Sequence, residues 1–158
     1  MNVIIEGPDG SGKSTLAHTL IQHVPWVCIP SRGPEKYPGE IIERARRYLD
    51  MEGCILDRHP LISDPIYSRF RKNATRIPQD LINRLYQQKP LFIYCYGRAG
   101  SHEVKRHDTP EHLELVHNHD EELRAAYEEW AAGRVQLRYR VGDGLYPIIQ
   151  AVKEFCNG

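Results

Sequence analysis

Gly7-Pro8-Asp9-Gly10-Ser11-Gly12-Lys13-Ser14 is a complete G-x-x-x-x-G-K-[ST] string, preceded by the strand-like Val3-Ile4-Ile5-Glu6 and followed by helical spacing from Leu16 to Leu20. Such a string is chemistry for phosphate. Gly7, Gly10 and Gly12 permit backbone angles and a close approach that a Cβ forbids, so the N–H groups running through Asp9, Ser11 and on to Thr15 can surround phosphate oxygens. The helix that begins near Lys13 adds its positive end. Lys13 is expected on the β- and γ-phosphates of a nucleoside triphosphate, and the Ser14 hydroxyl on Mg²⁺.

A second group of residues follows the apolar run Cys54-Ile55-Leu56, which closes on Asp57 and is followed at once by Arg58. A carboxylate at the tip of a buried strand beside a phosphate loop can act on the metal or on the attacking oxygen, so Asp57 joins Ser14 as a candidate metal ligand. The competing reading is an aspartate that only caps a turn. A guanidinium at Arg58 can bridge donor and acceptor phosphates and neutralise charge between them, against the plainer reading of a surface ion pair.

Five of the eight histidines, His102, His107, His112, His117 and His119, fall between residues 102 and 119. His112 and His117 are five apart and His117 and His119 two apart, so neither pair shares a helix face as an i, i+4 zinc pair would. They read as a solvated helical face.

These residues need elements to hold them. Apolar segments of strand length alternate with helical periodicity, the pattern of a parallel sheet covered by helices. Five strands are expected, at residues 3–6, 26–29, 54–57, 91–96 and 135–141, and their apolar runs suit burial on both faces. The last alternates Arg138 and Arg140 with apolar residues, which suggests an edge. Helical stripes run through Leu16 and Leu20; Ile41, Ala45 and Leu49; Leu81 and Leu85; Val116, Leu123, Tyr127 and Trp130; and Ile148, Val152 and Phe155. They are most simply core. Pro78, Pro110 and Pro147 fit first helical turns, Gly133 fits a helix stop, and residues 29–39 read as a loop.

With 158 residues the chain fits one domain, spanning 1–158. Lys plus Arg and Asp plus Glu are each 21, so no sign excess favours long nucleic acid or an anionic membrane. Any polyanion should be small and held locally. Cys28, Cys54, Cys95 and Cys156 form no C-x-x-C pair and read as thiols in a reducing, cytoplasmic setting. No apolar run approaches the roughly 20 residues that span a bilayer, and no basic leader precedes the first strand, so a soluble, uncleaved protein is expected. The oligomeric state stays open, a homodimer included.

Taken together, Glu6 to Thr15 and Asp57-Arg58-His59 resemble the thymidylate kinase branch of P-loop kinases, with its E-G-x-D-G-x-G-K-S-T and a strand ending Asp-Arg before a serine and a tyrosine. Ser63 and Tyr67 stand in that order here, one residue further on than the commonest spacing. Arg32-Gly33-Pro34 and then Gly39-Glu40 are similar to the family's R-x-P segment and downstream Gly-Glu, one residue short. The resemblance covers residues 2–70 well and little beyond. It implies a P-loop nucleoside monophosphate kinase fold, a five-stranded parallel α/β sheet sandwiched by helices with a short lid near residues 98–109. It also implies that Asp9 lies near the acceptor sugar and phosphate, that Arg58 contacts phosphate, and that Tyr67 lies under the sugar and disfavours a 2′-hydroxyl. Arg32, or Arg44 on the next helix, would bind acceptor phosphate. Some members carry an arginine inside the phosphate loop; here Gly10 stands there. A lid arginine must then cover the transferring group, either Arg98 or Arg106.

The implied activity is ATP-dependent phosphorylation of a deoxynucleoside monophosphate such as dTMP. A deoxynucleoside kinase would want a carboxylate after the second strand to take a hydroxyl proton, where Ile29-Pro30-Ser31-Arg32 stands instead. A kinase of polynucleotide ends or modified bases would want a basic track. A regulatory switch of the GTPase type would need an N-K-x-D motif, and the sequence has none.

Overall fold

The computed structural model describes residues 1–98 and 109–158. Five strands, β1 (Val3–Glu6), β2 (Val27–Ile29), β3 (Cys54–Asp57), β4 (Leu91–Cys95) and β5 (Leu137–Tyr139), form one sheet in the order β2-β3-β1-β4-β5. Every adjacent pair is parallel, with Val3 opposite both Ile55 and Leu91. Parallel strands need covered faces, and β1, β3 and β4 are buried along their whole length. The two edges are not. Val27 on β2 is 63% exposed, so continuous burial, expected for that strand, fails at the edge where only one neighbour and little helix cover it. On β5 the residues are mixed, as the alternating arginines anticipated.

Six α-helices among the described residues cover the sheet: α1 (Lys13–Leu20), α2 (Glu40–Leu49), α3 (Pro60–Tyr67), α4 (Gln79–Gln87), α5 (Pro110–Ala131) and α6 (Tyr146–Asn157). On one face of the sheet Ile4, Leu56, Phe92 and Tyr94 pack with apolar residues of α2, α3, α4 and α5. On the other Val3, Ile5, Ile55 and Ile93 pack with Leu16 and Leu20 of α1 and with Ile148 and Val152 of α6. Burying each such Leu or Ile contributes about 1.5–3 kcal/mol, which fixes both layers against the sheet.

The short helix α3 has no counterpart among the helices expected from periodicity. Its eight residues include Pro60 in the first turn and Pro65 inside. Two prolines hide helical spacing, yet Pro60 sits where no N–H is needed. The imidazole of His59 caps the helix by accepting from the Leu61 N–H at 3.1 Å. None of the described helices is long and apolar enough to cross a membrane, and all four cysteines are free thiols.

The chain runs from central β1 to the edge at β2, returns to β3 beside β1, and then places β4 and β5 on the other side, so the carboxyl end of β1 lies where the strand order reverses, the usual place for a site in such a sheet.

Candidate active site

The phosphate loop joins β1 to α1 under tight contact. A Cβ on Gly7, whose φ is +156°, would lie 2.1 Å from the carbonyl oxygen of Cys95 at the end of β4. One on Gly12, which begins α1 with φ +88°, would lie 2.6 Å from a methyl of Val141. Only glycine fits either place. Lys13 is buried, and its ammonium donates to the Pro8 carbonyl at 2.8 Å and to Ser11 Oγ at 3.3 Å. Burial, and next the charge of Arg58, bring Lys13 down to about 8 against the pull of Asp57 and Asp9. Ser14 and Thr15 are exposed at the start of α1, and the Ser14 hydroxyl donates to Asp57 Oδ2 at 2.7 Å. Two oxygen donors so close suit a hard cation such as Mg²⁺.

Arg58 leaves β3 in the left-handed region, with φ +74°, while its N–H donates to the carbonyl of Ile5 at 2.9 Å. Non-glycine residues adopt that conformation at a cost, and here the surroundings hold it. One arm of the guanidinium donates to the Tyr127 hydroxyl at 2.7 Å; the other reaches Asp9 Oδ1 at 2.6 Å and the Tyr67 hydroxyl at 3.0 Å. Glu6, wholly buried, lies 3.7 Å away and accepts from the His59 N–H and the Tyr127 hydroxyl, both at 2.7 Å. Burial pushes the Glu6 carboxyl up, opposed chiefly by Arg58. Burial would push Asp9 up too, but Arg58, the His112 hydrogen bond, Lys13 and Tyr67 together hold it well below the usual carboxylate range.

Asp9, Lys13, Ser14, Asp57, Arg58 and Tyr67 therefore belong to one continuous contact region. Tyr67 is buried, as core packing would have it, yet its hydroxyl donates to Asp9 Oδ1 at 2.5 Å. Arg44 is elsewhere engaged. It is buried, paired with Glu40, and donates to the carbonyls of Gly33 at 2.7 Å and Pro34 at 3.3 Å, so it shapes the loop after β2. Arg32, on that loop, is exposed and makes no ion pair with a described residue. Arg98 is exposed and paired with Asp120 at 2.7 Å. Arg106 and nearly all of residues 98–109 lie outside the described residues.

Four contributors escaped the sequence reading. Glu6 had a signal, a carboxylate closing an apolar strand. Tyr127 sat in a core stripe, and while its ring does pack with Tyr94 and Trp130, its hydroxyl joins the Arg58 cluster. Arg124 donates to the carbonyls of Gly97 at 3.2 Å and Asp9 at 3.5 Å and pairs with Asp120. His112 is no part of a solvated face. Its side chain is 9% exposed, its Nε2 lies 3.0 Å from Asp9 Oδ2, and its ring packs on Tyr67. His119 likewise stacks on Phe70 at 4.6 Å, where α5 kinks.

No family model matches the sequence, and no curated protein matches it. Solved structures do match in fold. The YorR protein of Bacillus subtilis, in complex with phosphorylated GDP, aligns over 99% of this chain and 96% of its own at a TM-score of 0.72 and 17% identity. Deoxyadenosine kinase from M. mycoides, with dCMP and dCDP bound, aligns over 99% and 98% at 0.60 and 17%. Thymidylate kinase from Candida albicans aligns over 99% and 90% at 0.53. The chain thus has the five-stranded α/β fold of structures that include nucleoside and nucleotide kinases.

Proposed function

We propose that the protein transfers the γ-phosphate of ATP to the phosphate of a deoxynucleoside monophosphate, with dTMP the favoured acceptor. The observation that carries this reading is the Arg58 guanidinium bonded to Asp9, which sets a fixed cation against the phosphate loop where an acceptor phosphate must arrive. Lys13 turns from its own loop to the donor's β- and γ-phosphates. Gly7, Gly10, Ser11, Gly12 and Thr15 line the cradle around them. Ser14 and Asp57 would hold Mg²⁺, whose charge offsets that of the triphosphate. Arg58 faces both donor and acceptor, and Arg98 or Arg106, in a lid near residues 98–109, excludes water from the transfer.

No side chain must remove a proton, because the acceptor phosphate is already anionic. Positioning and charge neutralisation are then the whole task. With Arg44 tied to Glu40 and two carbonyls, Arg32 is the arginine of the loop after β2 left to meet the acceptor phosphate. Tyr67 lies beneath the sugar, where a 2′-hydroxyl would meet its ring. The product dCMP bound to the M. mycoides deoxyadenosine kinase and the phosphorylated GDP bound to YorR support a nucleotide-sized ligand and bear on its size alone, not on which group accepts the phosphate. Thymine is favoured through the likeness of Glu6 to Thr15 and Asp57-Arg58 to thymidylate kinases.

ADP formation from Mg-ATP with dTMP, dUMP, UMP and thymidine tests the reading. The monophosphate should exceed its nucleoside by orders of magnitude, since a nucleoside brings no anion to Arg58 and Arg32, and its hydroxyl must lose a proton that no side chain is assigned to take. Thymidine turned over as fast as dTMP would refute the monophosphate acceptor, and equal use of dUMP and UMP would remove Tyr67 from the sugar.

A further inference from the structure

The first turn of α5 brings a group to the site that phosphate chemistry does not require. Thr109 caps the helix by accepting from the His112 N–H at 3.1 Å, and the His112 ring lies against Tyr67, centroids 5.6 Å apart, with Nε2 at 3.0 Å from Asp9 Oδ2. Asp9 Oδ1 is already occupied by Arg58 and Tyr67. The carboxylate, held charged among these donors, can only accept, so it assigns the ring proton to Nε2. In the neutral ring Nδ1 is then a bare lone pair. It is buried and has no hydrogen-bond partner among the described residues. Native proteins seldom leave such an atom unmatched, and one that is left calls for a role or a partner.

A lone pair selects its partner. Phosphate oxygens and base carbonyls only accept and cannot serve, whereas a sugar hydroxyl or a base N–H can. Position favours the sugar. His112 is one hydrogen bond from Asp9, and Asp9 is one hydrogen bond from Arg58, the guanidinium assigned to phosphate. The sugar of a nucleotide adjoins its phosphate; the base lies farther away.

We infer that His112 is a specificity-determining residue whose Nδ1 accepts a hydrogen bond from the 3′-hydroxyl of the acceptor's deoxyribose, the only free hydroxyl that sugar carries. The inference rests on the nucleotide-kinase reading and names the group that reads the sugar. Asp9 fixes the tautomer and orientation of the imidazole, as a carboxylate does for a working histidine elsewhere.

The test compares kcat/KM at saturating Mg-ATP for the best deoxynucleoside monophosphate and its 3′-deoxy counterpart. The wild type should prefer the hydroxylated acceptor up to about 100-fold, the cost of leaving one buried acceptor atom unpaired when the analogue lacks the hydroxyl. His112→Phe keeps a ring against Tyr67 but loses the lone pair, and should shrink that preference roughly tenfold with the KM for ATP unchanged. His112→Gln, which offers an amide N–H to Asp9 and an oxygen to the hydroxyl, should restore part of it. Equal losses on both acceptors in both variants, or no preference in the wild type, would overturn the inference and leave the kinase reading intact. A preference that follows N3-methylation of the base instead of the sugar hydroxyl would overturn it too. No transfer to any acceptor would overturn the kinase reading beneath it.

Discussion

The Lys13 ammonium is enclosed by the Pro8 carbonyl and Ser11 Oγ and stands at about 8, below the ordinary lysine value of 10.5, chiefly through burial and the charge of Arg58. Two consequences of opposite sign follow. The folded state releases this proton before the unfolded state does, so Lys13 makes folding more favourable as pH rises from about 8 toward 10.5. Phosphate needs the charged form, so affinity for ATP or ADP should fall as pH rises through about 8, approaching tenfold per unit. Calorimetric titration across that range, with Lys13→Ala as the control that lacks the inflection, measures it. Lys13→Ala should also lower turnover by at least about 10²-fold while the far-ultraviolet dichroism stays native. Arg58 gives a second residue-scale outcome. Removing it strands the buried Glu6 carboxylate, so Arg58→Ala should destabilise by about 3 kcal/mol, and Glu6→Gln in the same chain should recover a good part of that. Additive losses in denaturant unfolding would show that the two do not form a unit.

At the scale of elements, α3 begins on a histidine that must stay neutral. His59 is buried, accepts from the Leu61 N–H, packs edge-on to Tyr48 and is held down at about 3 by burial. The unfolded chain takes up this proton near pH 6.5 while the folded one refuses it until about 3. Stability is thus present above 6.5 and drains away as pH falls, by up to about 1.4 kcal/mol per unit. Asp64 acts in the other direction. Burial raises it to about 6, so it favours the folded state most at low pH and loses that contribution as pH rises from 3.8 to about 6. The pair partly cancels in total stability, and a variant separates them. His59→Asn keeps a capping oxygen at the start of α3 but has no proton to refuse. Lowering the pH from 7 to 5 should change the unfolding free energy more favourably in His59→Asn, which keeps the Asp64 gain without the His59 loss, than in the wild type; the same change in both would mean that His59 titrates normally.

For the molecule as a whole, the segments after β1 and β3 are joined by the Arg58–Asp9 and Ser14–Asp57 bonds; on the nucleotide-kinase reading they take one ligand from separate parts of the chain, so nucleotide binding should report on global stability. Mg-ADP at about 100 times its dissociation constant should add about 2.7 kcal/mol to unfolding. Lys13→Ala should lose most of that shift, read as the change in Tm with and without nucleotide. Much of this architecture was legible in the residues. The run from Gly7 to Thr15 is local, its glycines and lysine stand at fixed offsets in one turn, and a strand before it and a helix after it can be recognised from periodicity alone. The buried runs of β1, β3 and β4, the edge character of β5 and the Asp57-Arg58 pair were equally local. Helix α3 was not, because Pro60 and Pro65 interrupt the pattern. Nor were the partners of Arg58 and Asp9. Tyr127 is 69 residues from Arg58 and His112 is 103 from Asp9, and a tyrosine in an apolar stripe or a histidine among polar neighbours carries no local mark of either bond. Periodicity records which face of a helix is apolar; where on the sheet that face lands, and which polar tip then meets a charge, is decided only when the layers pack.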